Sequence, residues 1–130
     1  MTKEEHVNYW ITTSNDDWET VKSLFESKRY VHCLYFAHLC LEKLCKSHWV
    51  KDNESNTPPK IHSLVKIISN TNLELDDELL DFLRQMDNFH IEGRYPDYLM
   101  KINIVCNKDF TNKILIKVEE IKVCLQEKMQ

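Results

Sequence analysis

Arg84, Asp87, His90 and Arg94 are the residues of this chain whose types and spacing could do chemistry. They lie in FLRQMDNFHIEGRYPDY, Phe82 to Tyr98, which also holds the only glycine and one of the three prolines. On a helix turning about 100° per residue, the four fall within an arc of roughly 120° beside the apolar face. An arginine holds a phosphate through two parallel hydrogen bonds, and a histidine moves a proton near neutral pH. Together they would activate a ribose 2′-hydroxyl and stabilise the charge that develops on a phosphodiester, which is metal-independent RNA cleavage. Asp87 is three residues from both Arg84 and His90 and could orient either. The same residues also suit an ordinary helix end, with His90 on the dipole and Arg84 paired to Asp87 on the surface. Arg94-Tyr95-Pro96-Asp97-Tyr98 then reads equally as a helix stop.

The elements that must position these residues are helical. The periodicity predicts five helices. The first covers Lys3 to Ser27, with Val7, Trp10, Ile11, Trp18, Val21, Leu24 and Phe25 on one stripe and an optional break at Ser14-Asn15-Asp16. The second, Tyr30 to Val50, is apolar over most of its circumference and belongs at the centre of a bundle. A polar loop, Lys51 to Lys60, contains Pro58-Pro59 and is expected to be exposed and mobile. A short third helix, Ile61 to Asn70, follows. The fourth starts at the acidic Asp76-Asp77-Glu78 and is expected to end near Gly93. Pro96 makes the next segment irregular, and a last helix covers Asp109 to Lys128. The fold class is therefore all-α: an up-and-down bundle of about five helices with a short third helix. Residues 1–130 form a single domain.

Composition narrows the function. The chain has 130 residues, one Gly, three Pro and a net charge of −4. With a pI near 5.8 there is no global attraction to nucleic acid, so an RNA contact needs a local basic patch. Five cysteines without a C-x-x-C spacing read as reduced, mostly buried thiols rather than a disulfide scaffold or zinc site. The start has no apolar signal core, and no apolar run approaches the ~20 residues of a membrane span. A cytoplasmic, soluble protein without membrane contact is expected.

Other polar residues are weighed in turn. Lys43 and Lys46 could form a phosphate patch, or a solvated face. His32, His38 and His48 share the second helix but not a ligand spacing, so no metal and no cofactor are expected. His62 reads as a capping or packing residue. Trp10, Trp18 and Trp49 read as core or dimer contacts.

The order of these pieces resembles a known family. CLYFAHLCLEKLCKSHW, Cys33 to Trp49, is similar to the central helix of HEPN domains (higher eukaryotes and prokaryotes nucleotide-binding), with its Glu-Lys pair and further lysine at Glu42, Lys43 and Lys46. SLFESKRYVHC resembles the family's turn between its first two helices. KIHSLVKI, Lys60 to Ile67, resembles its His-Ser-Leu step, and FHIEGRYPDY its tyrosine-rich segment. The resemblance covers about residues 5 to 127. It implies a helical bundle that commonly forms a homodimer, and in many members a ribonuclease, often a toxin paired with a minimal nucleotidyltransferase. The family's ribonuclease motif is an arginine, four to six residues, then a histidine; Arg84 and His90 have five between them. The resemblance thus implies Arg84 on the scissile phosphate, His90 as general acid/base, Asp87 orienting, and Arg94, Tyr95, Lys43 and Lys46 near substrate or nucleotide. Gln85 stands where the family usually has a smaller polar residue. A non-catalytic module that binds a nucleotide, or a nucleotidyltransferase partner, is the alternative.

Overall fold

The computed structural model describes residues 1–129. They form six α-helices and one 3-10 turn, with no β-strand among them. In chain order these are α1 (Lys3–Glu26), α2 (Tyr30–Asp52), α3 (Leu64–Ile68), α4 (Asp77–Met86), the 3-10 turn Asp87–Phe89, α5 (Pro96–Val105) and α6 (Lys108–Glu127).

Most helix starts carry a side-chain cap. Thr2 and Glu5 form a reciprocal capping box on α1, and Ser63, Asp76 and Asn107 accept backbone N–H bonds at the starts of α3, α4 and α6. Each cap satisfies a donor the helix leaves free and contributes about 1 kcal/mol. Helix α1 is continuous through Ser14-Asn15-Asp16. Ser14 is buried there and donates to the Cys40 carbonyl of α2 at 2.8 Å, so a residue with capping character serves as interhelix glue. A three-residue turn folds α1 back on α2. It places Lys28 at φ 63°, a left-handed conformation that a side chain other than Gly adopts at a cost.

Helix α2 is the hub. Thirteen of its residues are buried, and α1, α3, α5, α6 and the 3-10 turn all pack on it. Leu34, Leu41 and Leu44 are fully enclosed among Leu64, Ile67, Leu83, Met86, Val118 and Leu125; each such leucine contributes about 1.5–3 kcal/mol by leaving water. Four of the five cysteines are buried and all are free. Burial pushes the Cys40 and Cys106 thiols up to about 11 and Cys33 up to about 12, which keeps them inert. Trp18 and Trp49 pack partly buried against this core.

The short third helix covers Leu64–Ile68 rather than Ile61 to Asn70, and three other features differ from expectation. The fourth helix ends at Met86 rather than near Gly93, because Asp87–Phe89 tighten into a 3-10 turn that keeps Phe89 in the core. The segment after Gly93 is helical rather than irregular: Pro96 sits in the first turn of α5, where its missing N–H is harmless. The loop after α2 is anchored, since Lys3 Nζ donates to the Val50 and Asn53 carbonyls at 2.8 and 2.7 Å and to Asn56 Oδ1 at 2.8 Å.

Candidate functional site

The polar residues of the α2 hub define the site. His38, Glu42 and Lys46 recur every four residues and so share one face of α2; all three are buried. That face meets the start of α3 and the turn after α4. Glu42 Oε2 accepts from Lys46 Nζ at 3.2 Å, and Glu42 Oε1 lies 2.9 Å from His62 Nδ1. A carboxylate only accepts, so Nδ1 is the protonated nitrogen of His62 and Nε2 is left for another partner. His38 Nε2 lies 3.0 Å from Asp87 Oδ1, which by the same reasoning makes Nε2 the donor. Asp87 Oδ1 also accepts the Leu64 N–H at 3.3 Å. One carboxylate thereby ties α2, α3 and the 3-10 turn together.

His90 follows this turn in extended backbone. Its ring stacks on His62, centroids 4.2 Å apart and planes 24° apart, and meets the rings of His38 and Tyr35 edge-on at 5.4 and 5.6 Å. Its Nε2 is buried without a protein partner. Burial, and then the neighbouring His62 and His38, hold the His90 imidazole below the usual histidine range, so it is neutral at neutral pH and keeps a ring lone pair unprotonated there. The Tyr35 hydroxyl donates to Glu92 at 3.2 Å across the rim, and burial followed by this bond to Glu92 raises the phenol above its ordinary value.

The arginines stand further out. Arg84 Nη1 bonds Asp81 Oδ1 at 2.8 Å, both side chains mostly exposed. Arg94 folds back so that Nε donates to the His90 carbonyl at 3.2 Å, and its guanidinium lies 4.5 Å from the centre of the Tyr98 ring. The Tyr98 hydroxyl donates to the Asn88 carbonyl. Tyr95 is 82% exposed.

The single stripe of Arg84, Asp87, His90 and Arg94 is therefore interrupted after Met86. Asp87 orients neither Arg84 nor His90; its partners are His38 and the Leu64 amide. Lys43 and Lys46 form no open phosphate patch: Lys43 pairs with Asp17 at 2.8 Å, and Lys46 is buried on Glu42 beneath Trp10. His62 does more than cap or pack, because its ring bridges Glu42 and His90. Of the two residues that sequence reasoning set aside, His38 carried a usable signal and His62 none. His38, Glu42 and Lys46 recur at four-residue spacing on a helix too apolar to present polar groups to water.

No helix among the described residues is long and apolar enough to cross a membrane. No curated protein and no solved structure matches the chain. The family model described as HEPN domain matches residues 7–128, nearly the whole length. With its all-α bundle around one central helix, the chain belongs to the HEPN domain family.

Proposed function

We propose that this HEPN protein is a metal-independent endoribonuclease, a toxin-like component that acts as a homodimer, with His90 as the group that moves the proton. The observation that carries the reading is the contact between His90 and His62, two stacked imidazoles 4.2 Å apart. One is neutral with a free nitrogen; the other is fixed by the Glu42 carboxylate at 2.9 Å. Two imidazoles in different environments are what general-base and general-acid steps on a phosphodiester need. His90 takes the proton of the attacking 2′-hydroxyl, and His62, in its doubly protonated form with Nδ1–H held by Glu42, donates the Nε2 proton to the leaving oxygen. Arg94, folded beside the His90 carbonyl, supplies a cation for the phosphate. Arg84 reaches the same phosphate by exchanging its exposed Asp81 partner, an ion pair that contributes at most about 1 kcal/mol. Asp87 acts by setting the tautomer of His38 behind the pair.

HEPN domains commonly dimerise, and the surface that supports a dimer here is α5. None of its residues is buried, and Met100 and Ile104 are 68% and 77% exposed. A second copy is the occupant we propose, since this helix follows directly on the His90–Arg94 segment and would bring two such sites together.

The alternative is a non-catalytic module that binds a nucleotide, or a minimal nucleotidyltransferase partner, through the same residues. Arg84 engaged by Asp81 favours it. RNA binding and cleavage by wild type, Arg84→Ala and His90→Ala separate the two. Cleavage lost in both variants with binding kept in His90→Ala supports the ribonuclease. Binding without cleavage in wild type supports the module.

A further inference from the structure

We propose that Glu42, His62 and His90 form a binding site for a single divalent transition-metal ion of zinc type, with Glu42 Oε1 and one nitrogen from each histidine as ligands. Three elements supply them: α2, the lead-in to α3, and the residue after the 3-10 turn. One ligand atom from each lies within 4.8 Å of the other two. Ligands at ~2.0–2.2 Å from a tetrahedral zinc stand about 3.4 Å apart, so closure requires shifts on the order of 1 Å.

Two further observations point to a cation. His90 Nε2 and His38 Nδ1 are buried and have no protein partner. Such groups are almost always satisfied, because leaving one bare costs about 1–3 kcal/mol. With His38 Nε2–H committed to Asp87, its Nδ1 faces Glu42 Oε1 at 3.9 Å, too far for a hydrogen bond. Lys46 holds Oε2 and keeps the carboxylate oriented, and Oε1 becomes a ligand atom when the His62 Nδ1–H bond it accepts is exchanged for the ion.

The chemistry of the donor set selects the ion. Two imidazoles and a carboxylate suit zinc, cobalt or nickel, and leave a fourth position open. Magnesium and calcium prefer oxygen ligands throughout. One rearrangement is required. The stacked planes of His62 and His90 cannot both contain the same ion, so His62 must turn out of the stack. Its side chain is half exposed, so the ring has room to turn once its Nδ1–H bond to Glu42 is given up.

The consequence for RNA cleavage rests on the ribonuclease reading, whereas the binding does not. An ion held by His62 and His90 consumes the lone pairs that proton transfer uses, so zinc inhibits this site rather than assisting it.

The test is a cobalt and zinc titration of the full chain after chelator treatment, under a non-chelating reductant. It follows the visible absorption of Co2+ and the heat of Zn2+ binding. One equivalent binds the wild type, and affinity falls at least about 100-fold in His62→Ala and in His90→Ala. Cys124→Ser, which removes the one thiol that is not buried, binds as wild type does, and Mg2+ does not compete. No saturable binding to the folded wild type would overturn the proposal. So would binding that survives both histidine variants or is lost with Cys124. His62 is exposed enough for its variant to fold, so the result is readable even if His90→Ala does not. RNA cleavage is scored in a separate assay: a protein that binds cobalt but cleaves nothing sinks the ribonuclease reading alone.

Discussion

Glu42 is the residue on which the site depends most, and a double-mutant cycle with Lys46 measures how much. Lys46 Nζ lies 3.2 Å from Glu42 Oε2, with the two side chains only 9% and 6% exposed. At an effective dielectric of about 20, two unit charges at that distance attract by roughly 5 kcal/mol before desolvation is counted. In Glu42→Leu the ammonium keeps the Trp10 face, 5.6 Å away, but no carboxylate. The cost of a buried charge left unpaired is about 3–5 kcal/mol. For a chain of this length that lowers Tm by roughly 12–20 °C. Lys46→Met should cost less, about 1.5–3 kcal/mol, because Glu42 retains His62. The double variant replaces both charges by apolar groups of similar size and should recover most of the loss. Urea denaturation near neutral pH gives the four stabilities, with an unchanged slope as the check on two-state behaviour. We expect a coupling energy of at least about 2 kcal/mol. Single losses that add within about 0.5 kcal/mol would refute the pairing.

Three further outcomes are expected. His48 and His90 are both held below the ordinary histidine value, His48 chiefly by burial despite the bond of its Nε2 to the Leu125 carbonyl at 2.8 Å. The unfolded chain therefore binds more protons, and stability rises with pH through this window. It is full above about pH 6.5 and lost as pH falls through the folded-state values. Denaturation midpoints between about pH 7.5 and 5.5 should fall, and His48→Gln should flatten the slope; a midpoint that rises on acidification contradicts this. Lys28→Gly relieves the left-handed backbone at the α1–α2 turn and should stabilise by up to about 1 kcal/mol, whereas Lys28→Val should destabilise; equal thermal midpoints for the two variants would remove the strain argument. Ile104→Lys should shift the protein from dimer to monomer in sedimentation without changing its helical circular dichroism, and a dimer that persists excludes α5 as the interface.

The bundle was legible because its apolar spacing is regular: the stripe of α1, the apolar circumference of α2 and the acidic start of α4 each dictate one element. The end of α4 was not. Phe82, Met86 and Phe89 keep a helical rhythm, and a 3-10 turn also brings residues three apart to one side, so spacing alone cannot tell where α4 tightens. Pro96 was read as a breaker, although proline at a first helical turn is favoured; Asp97 beside it was the cue for α5. His90 was singled out from sequence, but its neighbours were not. His62 is 28 residues away in the chain, and the two meet where Asp87 binds both His38 and the Leu64 amide and Glu42 holds His62. Glu42 and Lys46 were recognisable as an i, i+4 pair; that the pair is buried follows from packing against Trp10 and α3, which no local pattern encodes.

The most direct test of the account is the single-turnover cleavage of RNA, in excess chelator, by wild type and by a His90→Ala protein whose fold is verified by circular dichroism. General acid–base catalysis is worth about 10²–10⁴-fold. The wild type should therefore cleave without metal, and the variant should be slower by at least about 100-fold. A folded His90→Ala that cleaves at the wild-type rate would contradict it.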